Sequence, residues 1–263
     1  MIGSPGRSTP RGEPLVPANI PFTRRGLLGS TAAAMGGLLL GPLPARSAAS
    51  ALAVPRRYTR AEWAARPPTK AANVLNRAPD HIVVHHTASA NATDLSLEHA
   101  FALSRAIQNF HMATNGWEDT GQQLTISRGG HLMEGRNRSL AAIDAGDLVV
   151  GAQTLGHNDH TIGIENEGTY MTAQPTGALW DALVATCAWL CGVHGLDPHE
   201  AIVGHRDYNT TACPGDVLYA RLPRLRDEVA GDLGLRRRAP EGPPPKPSGL
   251  PGPRFTFDHG PAV

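Results

Sequence analysis

The chain has 263 residues, with 24 Lys and Arg against 23 Asp and Glu, so its formal net charge is +1 at pH 7. Proteins that bind nucleic acid present clustered positive charge, and this balance gives no such signal. We therefore expect no nucleic-acid partner. The length is suited to one domain with additional segments at the ends.

The N-terminal 53 residues have the pattern of an export signal. Residues 23–28 are Thr-Arg-Arg-Gly-Leu-Leu, a twin-arginine pattern, and a weakly apolar stretch follows over 27–43. Small residues within 45–53 then offer cleavage sites. A membrane anchor is the alternative, but the stretch is short and contains Pro42, whereas a transmembrane helix needs about 20 strongly apolar residues. We predict export to the cell envelope or extracellular space, without a membrane span in the mature chain.

From residue 81 onward, the sequence predicts strands that alternate with helices. Short segments rich in β-branched or alternating apolar residues predict strands at His81–His85, Leu124–Ser127, His131–Gly135, Thr161–Glu165 and Ala201–His205. Helical patterns cover Ser96–Met112, Thr176–Val193 and Asp216–Leu233, the last interrupted at Pro223. Gly129-Gly130 predicts a hairpin turn between two strands. The predicted fold is α/β, a single domain over residues 54–235 with a central mixed β-sheet flanked by helices.

The C-terminal segment 236–263 begins with three arginines, is rich in proline and contains few apolar residues. Such a segment cannot bury enough surface to offset the entropy cost of ordering it. We therefore predict a disordered tail. The arginines either end a solvated helix or contact an anionic wall polymer.

The chain contains three cysteines. Cys187 and Cys191 are four residues apart in an apolar helical pattern, so they share one face. Adjacent helical turns hold cysteines in poor disulfide geometry, which favours packing of two free thiols in the core over a bridge. That leaves Cys213 as the thiol that is placed for chemistry.

Two histidines and this cysteine have the chemistry of metal ligands. His85 and His205 each end a predicted strand, and Cys213 follows His205 by eight residues beside a Pro-Gly turn. Imidazole and thiolate favour zinc over calcium or magnesium, and three protein ligands leave one position for water, as in catalytic zinc sites. A structural histidine is the alternative for His85. His86 points to the other face of the strand, so one of the pair can face the metal while the other faces the core.

Glu165 and Glu167 alternate with Asn166 in an apolar strand, which puts both carboxylates on one face. An inward carboxylate is costly unless it is paired or functional. Beside a metal it can take a proton from water and return it to a leaving group. Solvated carboxylates on an exposed sheet edge are the alternative.

Five motifs together resemble the peptidoglycan recognition protein and zinc amidase family. In chain order they are Val-His-His-Thr-Ala at 84–88, Gln-Asn-Phe-His-Met at 108–112 with Gly-Trp-Glu-Asp-Thr-Gly at 116–121, Ser-Arg-Gly-Gly at 127–130 with Glu-Gly-Arg at 134–136, Ile-Gly-Ile-Glu at 162–165, and the segment 204–215. The similarity covers about residues 57–233, including the entry at 62–67. One such motif is weak, but five in order are specific.

The resemblance implies the family's reaction, hydrolysis of the amide between N-acetylmuramic acid and L-alanine in peptidoglycan. It also implies Zn²⁺ as the cofactor and peptidoglycan as the partner. The family's zinc ligands fall on His85, His205 and Cys213, and the catalytic glutamate of its muropeptide amidase branch falls on Glu165. Thr211 occupies the position two residues before the last ligand, which is lysine or threonine in the family and implies a catalytic role.

Two positions depart from the family pattern. Gln122 stands where many amidases have a catalytic tyrosine, and Gln153 lies in the segment that usually offers a histidine. Glutamine cannot ionise, but it can donate hydrogen bonds to the substrate or to a developing oxyanion. We therefore expect Gln122, Gln153 and His86 to contact the substrate, while proton transfer depends more heavily on Glu165.

The sequence thus predicts an exported, monomeric zinc hydrolase that acts on peptidoglycan. A non-catalytic peptidoglycan-binding module is the alternative, since family members without the cysteine ligand are binders, although this chain keeps Cys213. A generic zinc peptidase is disfavoured because the sequence has no His-Glu-x-x-His motif.

Overall fold

A computed structural model describes residues 55–236, 245–253 and 256–257. The predicted export signal, residues 1–53, lies outside the described residues. Residues 237–244, 254–255 and 258–263 of the predicted tail lie outside them as well.

Within the described residues, eight strands form two sheets. In chain order the strands are β1 (Arg57–Tyr58), β2 (Val74–Leu75), β3 (His81–His86), β4 (Leu124–Ile126), β5 (Leu132–Glu134), β6 (Leu148–Val149), β7 (Thr161–Asn166) and β8 (Ile202–Gly204). The main sheet has six strands in the order β1-β5-β4-β7-β3-β8, and β2 and β6 form a separate antiparallel pair. Within the main sheet β4 and β5 are antiparallel and the other neighbours are parallel. The predicted mixed sheet is confirmed.

In the part of the chain that the structure describes, six α-helices accompany the sheets. They are α1 (Leu97–Asn109), α2 (Ser139–Asp144), α3 (Gly177–His194), α4 (Pro198–Ala201), α5 (Asp216–Tyr219) and α6 (Leu222–Asp232). A π-helical turn, Phe110–Thr114, follows α1, and a 3₁₀ turn spans His205–Asp207. The three predicted helices and the interruption near Pro223 are confirmed, with Pro223 in the first turn of α6. The short helices α2 and α4 were not predicted, because four to six residues carry too little periodicity to be recognised.

The helix α3 forms the centre of the hydrophobic core. It begins after Thr176, whose side chain accepts a hydrogen bond from the Leu179 amide at 3.2 Å, and it ends at Gly195 with φ +67°. Among the described helices it is the one long and apolar enough to cross a membrane, and more than half of it is buried inside the domain. Cys187 and Cys191 are buried here as free thiols, which confirms that they pack in the core.

The described residues of the segment 236–263 contact the domain. The Ser248 amide donates to the Asp216 carboxylate at 2.9 Å. The Phe257 amide donates to the carbonyl of Ala88 at 3.3 Å, and its ring lies 5.4 Å from that of Phe110. These hydrogen bonds and the aromatic contact give the described tail residues defined neighbours on the domain.

Candidate metal and catalytic site

The two faces of the main sheet have different chemistry. Ile82 and Val84 of β3, together with Ile162 and Ile164 of β7, belong to the hydrophobic cluster that contains α3 and α6. Because successive side chains of a strand point to opposite faces, the odd-numbered residues of β3 and β7 face away from this cluster. Polar side chains on that second face are therefore separated from the core by the sheet itself.

A row of polar residues crosses this second face. In the parallel pairing of β3 and β7, His85 is the direct partner of Glu165, and on the other side Thr125 of β4 is the partner of Glu165. The three side chains therefore lie side by side. Glu165 is only 3% exposed on a strand with neighbours on both sides, so the alternative of a solvated carboxylate at a sheet edge is wrong.

Three buried residues meet at one end of this row. One ligand atom each from His85, His205 and Cys213 lies within 4.8 Å of the other two. The Cys213 Sγ is 3.7 Å from Nδ1 of His85, and the imidazole rings of His85 and His205 are 4.5 Å apart between centroids. The carboxyl ends of β3 and β8 bring the two histidines together, as the sequence predicts. The three residues could hold a metal ion.

Gln153 determines which nitrogen of His85 faces the cysteine. The Thr161 hydroxyl donates to the carbonyl of His157 at 2.7 Å, so it accepts from Nε2 of Gln153 at 2.9 Å. This orients Oε1 of Gln153 toward His85, where it is 2.6 Å from Nε2 of the imidazole. Because an amide oxygen only accepts, Nε2 of His85 carries the proton and Nδ1 presents a lone pair toward Cys213. That is the tautomer that a metal ligand needs.

Gly163 makes room for this arrangement. It lies on the same face of β7 as Glu165, two residues before it. A Cβ atom at Gly163 would lie 2.7 Å from Cγ and Cδ of Gln153, closer than real contacts allow. The absence of a side chain lets Gln153 lie across the strand and reach His85. The glycine of the Gly-Ile-Glu motif therefore has a steric role beside the site.

The loop after β8 positions the other two metal-binding candidates. Nε2 of His205 is 3.1 Å from Oδ1 of Asn209. The amide of Arg206 donates to the carbonyl of Cys213 at 3.2 Å, and its guanidinium forms an ion pair with Asp216 at 2.8 Å. The peptide bond between Cys213 and Pro214 is cis. These contacts close the loop, so that a histidine and a cysteine eight residues apart share one site.

Two backbone hydrogen bonds hold Cys213 in place. The amide of His86 donates to Sγ of Cys213 at 3.4 Å, and the amide of Cys213 itself donates to Oγ1 of Thr211 at 3.1 Å. Thr211 is 3% exposed and lies within the ligand loop.

His86 and Gln153, two residues expected to contact the substrate, each have defined hydrogen-bond partners within the protein. Nδ1 of His86 accepts a hydrogen bond from the Tyr170 amide at 3.3 Å, on the face of β3 opposite to His85. The Gln153 amide binds His85 and Thr161 as described above. Both side chains are buried.

Gln122 is connected to the polar row through Thr125. Its Nε2 donates to the Thr125 hydroxyl at 2.9 Å, and the side chain is buried. Glu167, which the strand pattern groups with Glu165, is engaged elsewhere: its carboxylate is 2.5 Å from Nε2 of His99 and accepts from the Arg128 amide at 2.7 Å. Glu165 is thus the carboxylate of this strand that lies beside His85.

The aspartate of the Gly-Trp-Glu-Asp-Thr-Gly motif has a structural role. Asp119 is fully buried and accepts hydrogen bonds from Arg60 at 3.1 Å and from Gln108 at 2.8 Å. Asn137 donates to it twice, from its backbone and its side chain, each at 2.8 Å. The motif therefore joins α1 to the segment after β5 and supports the site from a distance.

Sequence reasoning missed Asn209 and Thr125 as site residues. Asn209 follows His205 by four residues, and an amide at that distance in a polar loop is a signal that could have been used. Thr125 carries no comparable signal, because its position beside Glu165 depends on β4 being the neighbour of β7.

Comparison with known proteins agrees with this geometry. The sequence profile of the N-acetylmuramoyl-L-alanine amidase family matches residues 75–216, which include all three candidate ligands. The human N-acetylmuramoyl-L-alanine amidase is 32% identical over 174 residues, which cover 65% of this chain and 28% of the human protein. Peptidoglycan-recognition protein LB of Drosophila melanogaster is 29% identical, and the matched region covers 65% of this chain and 69% of that protein. The chain therefore matches less than a third of the human relative.

A solved structure shows the same architecture. A mutant of Drosophila PGRP-LB in complex with tracheal cytotoxin superposes with a TM-score of 0.56 at 28% identity, over 64% of this chain and 92% of that one. The mixed sheet with flanking helices is thus shared. Since the profile match spans more than half of the chain and includes the strand-end histidines and the cysteine, the chain belongs to the N-acetylmuramoyl-L-alanine amidase family.

Proposed function

We propose that the protein is a zinc-dependent N-acetylmuramoyl-L-alanine amidase, which hydrolyses the amide between N-acetylmuramic acid and L-alanine in peptidoglycan. The observation that carries the proposal is the convergence of His85, His205 and Cys213, with ligand atoms within 4.8 Å of one another, beside the buried carboxylate of Glu165. A binding module needs no inward carboxylate next to a metal site, whereas a hydrolase uses one.

The donor set fits zinc. Two imidazoles and a thiolate are ligands that zinc prefers, and bond lengths of about 2.3 Å to sulfur and 2.0 Å to nitrogen give a tetrahedral S···N separation of about 3.5 Å. The distance from Cys213 Sγ to His85 Nδ1 is 3.7 Å. When bound, zinc would supply Lewis acidity, which lowers the pKa of water to about 7 and polarises the amide carbonyl.

Glu165 would transfer the proton. Its carboxylate accepts a proton from the attacking water as the oxygen–carbon bond forms, and returns that proton to the amide nitrogen as the carbon–nitrogen bond breaks. The products are a carboxylate on the muramic acid side and a free amino group on L-alanine. Burial of Glu165 next to His85 keeps its carboxylate within the site and away from bulk solvent.

Hydrogen-bond donors near the row would stabilise the oxyanion. The Gln122 amide is held by Thr125 at 2.9 Å, and the Thr211 hydroxyl is oriented by the Cys213 amide at 3.1 Å. Fixed donors of this kind stabilise developing negative charge without reorganisation. We propose that Gln122 and Thr211 serve this purpose, while Gln153 and His86 position the ligands rather than bind the substrate.

Relatives support the class of substrate. The human relative is named for this amidase activity, and the Drosophila structural neighbour is complexed with tracheal cytotoxin. We propose that this chain likewise has amidase activity and binds peptidoglycan, with zinc as its cofactor. We expect it to act as a monomer.

Replacement of Glu165 by glutamine tests the reaction. General acid–base groups contribute about 10²- to 10⁴-fold to rate, so Glu165→Gln should retain zinc and lose at least about 100-fold in release of peptides from purified peptidoglycan. Mass spectrometry should show that the released peptides begin with L-alanine. The matched control is Glu167→Gln, whose carboxylate binds His99 and Arg128 and should not affect turnover of the folded protein. Unchanged turnover in Glu165→Gln would refute the assignment.

A non-catalytic peptidoglycan-binding module is the second candidate, and Gln122 favours it because it stands where amidases carry a catalytic tyrosine. A binding assay and a hydrolysis assay distinguish the amidase from the binding module. If protein treated with a chelator sediments with purified sacculi and the zinc-loaded protein releases no peptide, the chain is a binder.

We also propose that the chain is exported by the twin-arginine pathway, since residues 23–28 carry the signal pattern. Replacing Arg24 and Arg25 together by lysine should retain the protein in the cytoplasm. Unchanged export of that variant would contradict the proposal.

A further inference from the structure

A second cluster of possible metal ligands lies at the other end of β3. Ligand atoms of Asp80, His81 and His160 lie within 4.8 Å of one another. His81 is on the same face of β3 as His85, four residues earlier, with the buried Val83 between them. None of the three residues takes part in the proposed reaction. The cluster is thus separate from the site described above.

The cluster brings two imidazoles to one carboxylate through hydrogen bonds. Oδ1 of Asp80 is 2.7 Å from Nδ1 of His81 and 2.7 Å from Nδ1 of His160. The same ring nitrogen of two histidines, from two separate strand starts, thus points at one carboxylate oxygen. The backbone joins the same two segments, because the Asp80 amide donates to the carbonyl of His160 at 2.9 Å.

Neighbouring aromatic rings hold the two imidazoles in place. Nε2 of His160 is 3.0 Å from Nδ1 of His157, and the His157 ring stacks on Tyr208 at 4.1 Å between centroids. The rings of His81 and His160 each meet Tyr208 edge-on at 6.0 Å. Metal-binding histidines usually have their second nitrogen fixed by such a partner, which sets the tautomer and the ring orientation.

We propose that Asp80, His81 and His160 bind a second divalent transition-metal ion. Two imidazoles and one carboxylate suit zinc, nickel or copper better than calcium or magnesium, which prefer oxygen ligands. The Asp80 side chain is 61% exposed, so water would complete the coordination and the ion would exchange readily with solvent. The site should therefore bind more weakly than the buried cluster around Cys213.

Binding requires only small changes. Zinc bonds of about 2.0 to 2.2 Å place tetrahedral nitrogen and oxygen ligands about 3.4 Å apart, so the present 2.7 Å contacts must open by several tenths of an ångström. The exposed Asp80 carboxylate can rotate to allow this. Each imidazole must present the Nδ1 lone pair, so the ring proton moves to Nε2, which in His160 faces His157.

The location gives the ion a structural consequence. His160 ends the loop between β6 and β7, which also contains Gln153, the residue that orients His85. An ion bound by His160, His81 and Asp80 would link the C-terminal end of this loop to the start of β3. The second ion would therefore stabilise the loop that positions a ligand of the first.

The test is the number of zinc ions bound per chain. Full-length protein is stripped with chelator, equilibrated with Zn²⁺ by dialysis and analysed for metal. We expect two ions for the wild type, one for the His81→Ala/His160→Ala double variant, and one for Cys213→Ser, which loses the first site. The matched control is His131→Ala, a partly exposed histidine outside the cluster, which should bind two. The separate variants distinguish failure of this site from failure of the proposed zinc site.

The proposal is overturned if the His81→Ala/His160→Ala variant binds as many zinc ions per chain as the wild type. The milder variant Asp80→Asn guards against misfolding, since it keeps the size of the side chain. It should weaken the second ion at least about tenfold while near-UV circular dichroism stays unchanged, because neutralising a carboxylate ligand removes its charge from the site.

Discussion

Replacing Gln153 by leucine should weaken zinc binding without touching a ligand. Leucine is of similar size, so the change removes the amide and leaves the volume nearly filled. Without Oε1, the Nε2 proton of His85 loses its acceptor, and the imidazole can adopt the other tautomer or rotate. A direct substrate-binding role for Gln153 would instead change KM and leave zinc affinity alone.

The expected loss of unfolding free energy in Gln153→Leu follows from three buried hydrogen bonds of the Gln153 side chain. The Gln153 amide accepts from His85 and from the Thr154 hydroxyl, and donates to Thr161. At about 1 kcal/mol for each, the metal-free protein should lose about 3 kcal/mol of unfolding free energy. Loss of a residue that orients a metal ligand costs about 10- to 100-fold in affinity, so we expect a zinc dissociation constant raised by that factor.

The assay is chelator competition at a temperature where both proteins are folded, combined with chemical denaturation. Gln123→Leu is the matched control, because Gln123 is equally buried and binds the carbonyl of Val149 and the amide of Gly163, each at 2.7 Å. It touches no candidate ligand. Its stability should fall while its zinc affinity stays unchanged. Equal zinc affinity in Gln153→Leu and the wild type, or equal weakening in both variants, would refute the reasoning.

Three further outcomes are expected. Gly163→Ala puts a Cβ atom 2.7 Å from Gln153, so chelator competition should show weaker zinc binding, with stability lower by about 1–3 kcal/mol; normal affinity would contradict the steric role. Asp119→Ala removes a fully buried carboxylate from partly buried Arg60 and should cost about 3–5 kcal/mol in denaturant titrations. A loss below about 1 kcal/mol would contradict this expectation. Burial lowers the pKa of His194 below 6.5, so the unfolded chain takes up this proton first and the free energy of unfolding falls as pH drops through about 6.5. In chelator-treated protein, His194→Gln should show a smaller fall, and an identical pH profile would oppose this.

Features that repeat along the chain could be predicted from the sequence. The β-branched run before His85 and the Gly-Ile-Glu segment marked two central strands, and strand alternation placed Glu165 on one face. The three candidate ligands could be named because each follows a predicted strand or turn and matches a family motif. These inferences rest on local pattern, which the sequence contains in full.

Features that depend on which segments become neighbours could not be predicted. Thr125 lies beside Glu165 because β4 pairs with β7, and nothing in either strand alone specifies that pairing. The contact between Gln153 and His85 could not be predicted, because the path of Gln153 over Gly163 depends on how the loop before β7 is folded. The cluster of Asp80, His81 and His160 was missed for the same reason, since His160 is 79 residues from His81 in the sequence.

The reactivity of the three cysteines would report partial unfolding of the chain. Burial raises the pKa of Cys187 well above its ordinary value and that of Cys191 to about 12, so neither thiol reacts while α3 is packed. Cys213 instead sits in a loop closed by Arg206 and by the amide of His86. A thiol reagent applied to metal-free protein therefore measures two events separately: opening of the ligand loop at Cys213, and loss of the core at the helical pair.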